Sequence, residues 1–229
     1  MLSRVATHLG DRREEVVFVG GAVVELLITE PGASDLRVTA DVDAVVEVAS
    51  IGAYYSFCEA LRAAGFREDR SEDAPACRWI VEGISVDLMP PEETILGFSN
   101  RWYTGTIRNA DRRALPGGQV IRVATAPYFL GTKLEAFAGR GKGDFRASRD
   151  IEDIVAVIDG RPELPAEARA ADAGLRRYLA EASGKLLRTP DFIEALPGHL
   201  SPDEASQQRL PLVMKRMEAL ASLDRQLGR

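Results

Sequence analysis

Two aspartates spaced two residues apart are the first feature of this sequence that could do chemistry. They occur in Asp41-Val42-Asp43, within the valine-rich stretch 37–48, which is predicted to be a strand. Because side chains alternate between the two faces of a strand, both carboxylates share one face and Val42 points to the other. Carboxylates this close repel each other unless a cation lies between them, and Mg²⁺ prefers such oxygen ligands. The pair therefore predicts a magnesium site.

A third aspartate lies on a later predicted strand. Asp87 is the one charged position in the apolar run 84–89, as expected of a strand whose polar position faces a site. If this strand pairs with the strand of Asp41 and Asp43, the three carboxylates complete a two-metal cluster. Such a cluster stabilises an attacking oxygen and a leaving pyrophosphate.

A glycine pair precedes the aspartates. Gly20-Gly21 follows the apolar run 16–19 and leads into a helix predicted from Ala22 to Ile28. Glycines let backbone N–H groups approach a triphosphate, and a helix N-terminus favours anions. Each motif alone has an ordinary explanation, as a turn or as a solvated strand end. In the order glycine pair, Asp-x-Asp, strand aspartate, they indicate a nucleotide and metal site.

This order of motifs resembles the DNA polymerase β-like nucleotidyltransferase superfamily, and more narrowly the AbiEii/AbiGii-type nucleotidyltransferase toxins of bacteria. Residues Arg37–Asp43 (RVTADVD) resemble that family's Arg-x-Thr-x-Asp-x-Asp. The resemblance covers about Val16 to Ile158, with a longer spacing from Gly21 to Asp41 than in the compact superfamily form and Arg149 in place of a frequent His. The stretches that resemble its second conserved block are Thr132–Phe137, Arg140–Asp144 and Ser148–Asp153.

The resemblance implies roles for individual residues. Asp41 and Asp43 would be metal ligands, and Asp87 would be the third carboxylate ligand and the base for the incoming hydroxyl. Lys133 would contact the triphosphate as part of the catalytic machinery, and Asp150 or Asp153 would support it. The nucleotide-binding residues implied in this way are Gly20, Gly21, Thr39, Lys133, Asp150 and Asp153.

The cationic residues between 133 and 149 each have two interpretations. Lys133 follows the apolar pattern of a predicted helix, so it needs a counter-charge or a ligand anion if it is buried, or it reaches from the core to water. The basic stretch after it either holds the phosphates of an RNA acceptor or is a solvated, glycine-rich loop. Its members are Arg140, Lys142, Arg146 and Arg149.

The elements that must position these residues alternate between strand and helix. Residues 77–81 and 84–89 are predicted to form a hairpin around Glu82-Gly83, and 120–123 to form another strand. A helix at 52–64 is expected to bury Tyr55, Cys58, Leu61 and Ala64, and two more helices are expected at about 127–138 and from 149, where Ser148 is the N-cap. Pro162 and Pro165 indicate a linker, followed by two or three helices, and the stretch 92–118 favours no single element.

We therefore predict an α+β, polymerase β-like nucleotidyltransferase fold, with a mixed β-sheet flanked by helices and a C-terminal helical region. Residues 1–125 are expected to form the catalytic core. Residues 126–229 are expected to form a helical region that completes the active site to about residue 160 and then continues as an extension.

Composition narrows the class of protein. The chain has 229 residues, 45% hydrophobic and 28% charged, the usual mix of a folded protein. A net charge of −6 argues against a protein that coats nucleic acid through a wholly basic surface. Cys58 and Cys77 lack CxxC spacing, which gives a zinc site or disulfide framework little support. No secretory leader or membrane-spanning run is evident, so we expect a cytoplasmic location and no membrane partner.

These features predict a Mg²⁺-dependent enzyme that moves a nucleoside monophosphate from a nucleoside triphosphate to a hydroxyl acceptor. The toxin resemblance implies an RNA acceptor such as tRNA, and a cognate antitoxin as protein partner. One alternative is transfer to a small molecule, as in the antibiotic nucleotidyltransferases, which the acidic composition favours. Another is a nucleotide-binding module without turnover, against which the three intact aspartates count.

Overall fold

The computed structural model describes residues 1–30, 33, 37–141 and 143–224. The chain forms two compact units: unit 1 is Met1–Val23 with Val38–Thr125, and unit 2 is Val24–Arg37 with Ala126–Arg229. The division into domains 1–125 and 126–229 stays a prediction; in the structure, residues 24–37 group with the helical unit rather than with the sheet.

Strands and helices are named in chain order over the described residues. The strands are β1 (Val16–Val19), β2 (Asp41–Val46), β3 (Arg67–Glu68), β4 (Arg78–Val81), β5 (Ile84–Met89), β6 (Asp111–Ala114) and β7 (Val120–Val123). The helices before residue 126 are α1 (Leu2–Leu9), α2 (Val24–Leu27), α3 (Ile51–Ala63), α4 (Glu93–Leu96) and α5 (Tyr103–Arg108). The later helices are α6 (Ala126–Arg140), α7 (Arg149–Gly160), α8 (Leu164–Ala170), α9 (Ala173–Leu187), α10 (Pro190–Ala195), α11 (Glu204–Gln207) and α12 (Leu210–Ala221).

The described strands of unit 1 form a seven-stranded mixed sheet in the order β3-β4-β5-β2-β1-β7-β6. Strand β1 is antiparallel to β2 and parallel to β7, while β2 is parallel to β5 and β5 is antiparallel to β4. All four residues of β1 are buried, as expected of a central strand. The predicted α+β fold, with a mixed sheet flanked by helices and a helical C-terminal region, is confirmed.

The predicted hairpin is confirmed and fixes the register of two strands. Glu82 has φ of 47° and Gly83 has φ of 76°, the left-handed conformations that a tight two-residue hairpin turn requires. Val81 therefore pairs with Ile84, and the ladder continues outward to the pair formed by residues 78 and 87. A two-residue turn leaves no other register for this hairpin.

The helix predicted at 52–64 is confirmed as α3, and Cys58 and Leu61 are buried as predicted, but Tyr55 and Ala64 are not part of its buried face. Ser50 caps the helix, since its hydroxyl accepts a hydrogen bond from the Ala53 amide at 3.2 Å. Tyr55 is 61% exposed, because a spacing of three falls behind the helical repeat of 3.6 residues. The buried residues are Tyr54, Phe57, Cys58 and Leu61.

Three other predictions need correction. The strand predicted at 37–48 is shortened to β2, and the helix predicted from Ala22 to Ile28 is a 3₁₀ turn at Gly21–Val23 followed by the four residues of α2. The linker after Arg161 is largely helical, because Pro165 occupies the first turn of α8, where its missing N–H is harmless. Five helices, α8 to α12, follow in the described chain where two or three were predicted.

The core of unit 2 forms around α6 and α7. Its large fully buried side chains include Phe129, Leu130, Ile151 and Ile154. The predicted N-cap of α7 is confirmed, since Ser148 accepts a hydrogen bond from the Ile151 amide at 3.3 Å. Among the described helices of the whole chain, none has the length and apolar character needed to cross a membrane.

Candidate active site

The three aspartates singled out by the sequence share one face of the sheet. Asp41 and Asp43 stand two residues apart on β2, and Asp87 lies directly opposite Asp43 on the parallel strand β5. Opposite residues of neighbouring strands point to the same face, and adjacent strands are about 4.8 Å apart. Asp87 is buried, while the side chain of Asp41 is 37% exposed. The fold therefore places three carboxylates on one face of the sheet, and Asp41 and Asp43 are partly exposed to solvent.

An arginine that the sequence analysis did not single out belongs to the same row. Arg78 on β4 is the hairpin partner of Asp87, and its Nε and Nη2 donate to the two carboxylate oxygens of Asp87, each at 2.7 Å. Its Nη2 also lies 3.7 Å from Oδ2 of Asp41. The hydrogen bonds to Asp87 raise the pKa of the Arg78 guanidinium above its ordinary value. Arg78 is thus a fixed cation in contact with two of the three aspartates.

The glycine turn lies directly against the carboxylates. Gly20 is buried and has φ of +70°, and a Cβ built there would fall 1.9 Å from Oδ2 and 2.8 Å from Cβ of Asp43. Only glycine allows the backbone this conformation and this approach. Gly21 opens the 3₁₀ turn, in which the Val23 amide donates to the Gly20 carbonyl at 3.3 Å. The glycine turn therefore packs directly against the carboxylate of Asp43 within unit 1.

Thr39 and the helix after the glycine pair give less support for a phosphate site. Thr39 lies two residues before β2 and is partly buried. With four residues, α2 is too short for a helix dipole to favour an anion, so a phosphate at this turn would depend on its backbone N–H groups.

In unit 2, Lys133 is buried and held by two carboxylates. Its Nζ lies 3.1 Å from Oδ1 of Asp150 and 2.6 Å from Oδ2 of Asp153, and its side chain is 9% exposed. Helix α6 supplies the lysine and α7 supplies both aspartates. Of the two interpretations of Lys133, the structure shows the buried one, with its counter-charges provided by the protein itself.

Two arginines extend this network. Arg37 donates from Nε and Nη2 to both oxygens of Asp153, at 2.9 and 3.0 Å. Arg140 donates to both oxygens of Asp150, at 3.2 and 3.1 Å. Burial raises the pKa of Asp150, but the hydrogen bond from Arg140 and the charge of Lys133 outweigh it and hold that pKa below its ordinary value. Both arginines occur in the sequence motifs, but the motifs do not reveal these partners.

The rest of the basic stretch lies on the surface. Arg146 pairs with Glu194 at 3.0 Å, with both side chains about 70% exposed, and Arg149 is exposed. Lys142 lies outside the described residues. Arg140 is the member with a buried partner, and the RNA-phosphate interpretation of this stretch stays a prediction.

The donors on the sheet face fit a hard divalent cation in their chemistry, because three carboxylates share this face and Gly20 leaves no room for a side chain beside Asp43. In their present arrangement, no three His, Cys, Asp or Glu side chains of the described chain are gathered tightly enough to hold a metal ion. The guanidinium of Arg78 stands in contact with Asp41 and Asp87 in this arrangement.

Comparisons with known proteins leave the family open. No protein-family model matches the chain, and no curated protein matches it. Among solved structures, the chain is similar to the crystal structure of a proposed nucleotidyltransferase from H. pylori, with a TM-score of 0.44 and 10% identity, over 100% of this chain and 95% of that one. Because this likeness is weak, the function has to be argued from the site itself.

Proposed function

We propose that this protein is a Mg²⁺-dependent nucleotidyltransferase of the polymerase β type, which moves a nucleoside monophosphate from a triphosphate to a hydroxyl acceptor. One observation carries the proposal: Asp43 and Asp87 lie opposite each other on parallel strands, Asp41 lies on the same face, and the Gly20 turn packs against Asp43. A solvated strand end does not explain a buried Asp87 or a glycine forced into contact with Asp43.

In this proposal Asp41, Asp43 and Asp87 hold the metal. Bound Mg²⁺ would supply charge neutralisation for the triphosphate and the leaving pyrophosphate. Asp87 also accepts the proton of the incoming hydroxyl. Its two oxygens already accept from Arg78, but each keeps a further lone pair for a metal or a proton. The chain itself contributes positioning and fixed charge, which is most of what phosphoryl-type transfer requires.

The backbone at Gly20 and Gly21 would approach the phosphates, since glycine there removes any side chain that would block them. That Thr39 joins the nucleotide site and that Lys133 contacts the triphosphate stay predictions from the family resemblance. Asp150 and Asp153 neutralise Lys133 in the structure, so a phosphate would compete with them for its ammonium group.

For the acceptor we propose RNA, with tRNA as the first candidate, as the resemblance to AbiEii/AbiGii-type toxins implies. A toxin of this kind would have an antitoxin protein as its partner. The net charge of −6 favours a small-molecule hydroxyl instead, and this is the second candidate. Salt distinguishes them, because an acceptor held through several phosphates loses affinity steeply as salt rises and a small neutral acceptor does not.

The test is incubation of the protein with Mg²⁺, each of the four α-labelled nucleoside triphosphates and total bacterial RNA. The variant Asp41→Ala with Asp43→Ala should transfer no label. The variant Asp111→Asn, at a half-exposed aspartate on the edge strand β6, should behave as wild type. Label in a tRNA-sized band supports the RNA acceptor. Pyrophosphate release only with small hydroxyl compounds moves the proposal to the second candidate, and no release with any acceptor favours a nucleotide-binding module.

A further inference from the structure

Arg78 has a position that a structural ion pair would not require. It is the outermost member of a row that runs across three strands, in which Arg78, Asp87 and Asp43 are successive register partners. All three side chains therefore point to the face that carries the proposed metal ligands.

The contacts of Arg78 are those that a metal ion would make. It neutralises both oxygens of Asp87 at 2.7 Å and approaches Oδ2 of Asp41 at 3.7 Å, so its positive charge stands between aspartates that would otherwise repel each other. Its side chain is 26% exposed, which leaves the guanidinium a path toward solvent.

We propose that Arg78 is a positioning residue that serves as a built-in counter-cation, holding the carboxylate of Asp87 and neutralising Asp87 and Asp41 before a divalent metal arrives, and competing with the metal for them. This inference rests on the proposed function, because it takes the three aspartates to be the metal ligands. It explains why they lie side by side on one face and yet are not gathered as a metal cluster in the described chain. The competition keeps metal affinity low until a triphosphate brings further ligands.

The experiment measures Mn²⁺ binding to the whole protein without nucleotide, by electron paramagnetic resonance, so it does not depend on activity. The variants are Arg78→Gln, which removes the charge, and Arg78→Lys, which keeps the charge but loses the bidentate contact with Asp87. The matched control is Arg112→Gln. Arg112 lies on β6 of the same sheet, far from β4 in the strand order, and it pairs with Glu14.

Removing the competing charge should tighten Mn²⁺ binding about tenfold in Arg78→Gln, given the attraction between unit charges near a protein surface. Arg78→Lys should bind about threefold more tightly than wild type, and Arg112→Gln should be unchanged. Melting temperature gives a second readout: Arg78→Gln should melt lower than wild type without metal and recover more on addition of Mn²⁺.

Equal or weaker Mn²⁺ binding in Arg78→Gln, with wild type binding normally, would overturn the role of Arg78 and leave the proposed function standing. Absence of Mn²⁺ binding in every form would overturn the metal site and the role of Arg78 together. If Arg78→Gln does not fold without metal, circular dichroism will show it, and Arg78→Lys then decides: tighter binding supports the proposal and unchanged binding overturns it.

Discussion

The charged cluster on the sheet face and a second charged cluster in unit 2 use the same residue types differently. In unit 2, Asp159 is fully buried and accepts from Nε of Arg209 at 2.7 Å, and Arg209 and Arg216 both donate to Glu30. Arg216 also donates to the Ile158 carbonyl at 3.1 Å, and both arginines donate to the Asp159 carbonyl. These arginines donate to carbonyls in the last turn of α7, where the helix dipole favours cations.

On the sheet face, Asp41 and Asp43 are instead partly exposed to solvent, and Asp87 is buried beside them. Asp41 is 37% exposed, and Arg78 reaches it only at 3.7 Å. Asp159 belongs to a network in which arginines also donate to backbone carbonyls. The hydrogen bonds of the Arg78 side chain that the structure shows go to a carboxylate instead. A network closed around backbone groups stabilises the fold, while carboxylates that share an accessible face are arranged for a ligand. Changes in the two clusters should therefore separate activity from stability.

The largest expected effect is on activity. Asp87→Asn should lower the transfer rate at least about 10³-fold, because it removes a metal ligand and the proposed base together. The free energy of unfolding should fall less than in Arg216→Met, as measured by urea denaturation, because no backbone carbonyl loses a donor. A variant that keeps more than about a tenth of wild-type turnover would contradict the assignment of Asp87.

In unit 2 the expected effect is on stability. Arg216→Met should lower the free energy of unfolding by about 3 kcal/mol, because it breaks a partly buried ion pair with Glu30 and leaves the buried carbonyls of Ile158 and Asp159 without this donor. Mn²⁺ binding should be unchanged. The matched control is Arg146→Met, whose exposed pair with Glu194 should cost less than about 1 kcal/mol. Equal losses in the two variants would show that burial does not distinguish these pairs.

The glycine turn is expected to show a smaller effect of both kinds. Gly20→Ala should cost about 2 kcal/mol and lower activity, since the new Cβ meets Asp43 in addition to the strain of a positive φ. Gly97→Ala is the control, because Gly97 has φ of +80° and an added methyl group there would meet nothing within 4 Å. This variant therefore has the backbone strain without the steric clash. Similar losses of activity in both variants would remove the special role of Gly20.

The smallest expected effect is the pH dependence of stability in unit 2. Hydrogen bonds from Arg216 and then Arg209 hold the pKa of Glu30 below its ordinary value of 4.5. Because the pKa in the folded state is depressed, this stabilisation is present above pH 4.5 and is lost as the pH falls through the folded pKa. Glu30→Gln should therefore lose stability relative to wild type at pH 7, and the difference, measured by urea denaturation, should shrink as the pH falls below 4.5. A difference that stays constant as the pH falls from neutral to about 3 would contradict this origin.

The sequence was a good guide where local rules decide the structure. The period of two put Asp41 and Asp43 on one face, and the two-residue turn at Glu82-Gly83 sets the register of its hairpin. Counting outward from that turn pairs residue 78 with residue 87, so the partner of Asp87 could have been found from the sequence. The parallel pairing of β2 with β5 could only be supposed, because a crossover leaves no local signal for register.

Contacts between distant residues could not be read from the sequence. Arg209 and Asp159 are 50 positions apart, and only the packing of the helices brings them together. The same holds for Arg37 and Asp153, which are 116 positions apart. Local patterns also misled where proline was taken as a break, since Pro165 begins α8 rather than interrupting the chain.

The most direct test of the site is calorimetric titration with a non-hydrolysable nucleoside triphosphate, with and without Mg²⁺, because it requires no acceptor. Wild type and Asp111→Asn should bind the nucleotide only when Mg²⁺ is present, and Asp41→Asn with Asp43→Asn should not bind it under either condition. Equal binding by all three proteins, with or without Mg²⁺, would show that the aspartate face of the sheet is not the nucleotide and metal site.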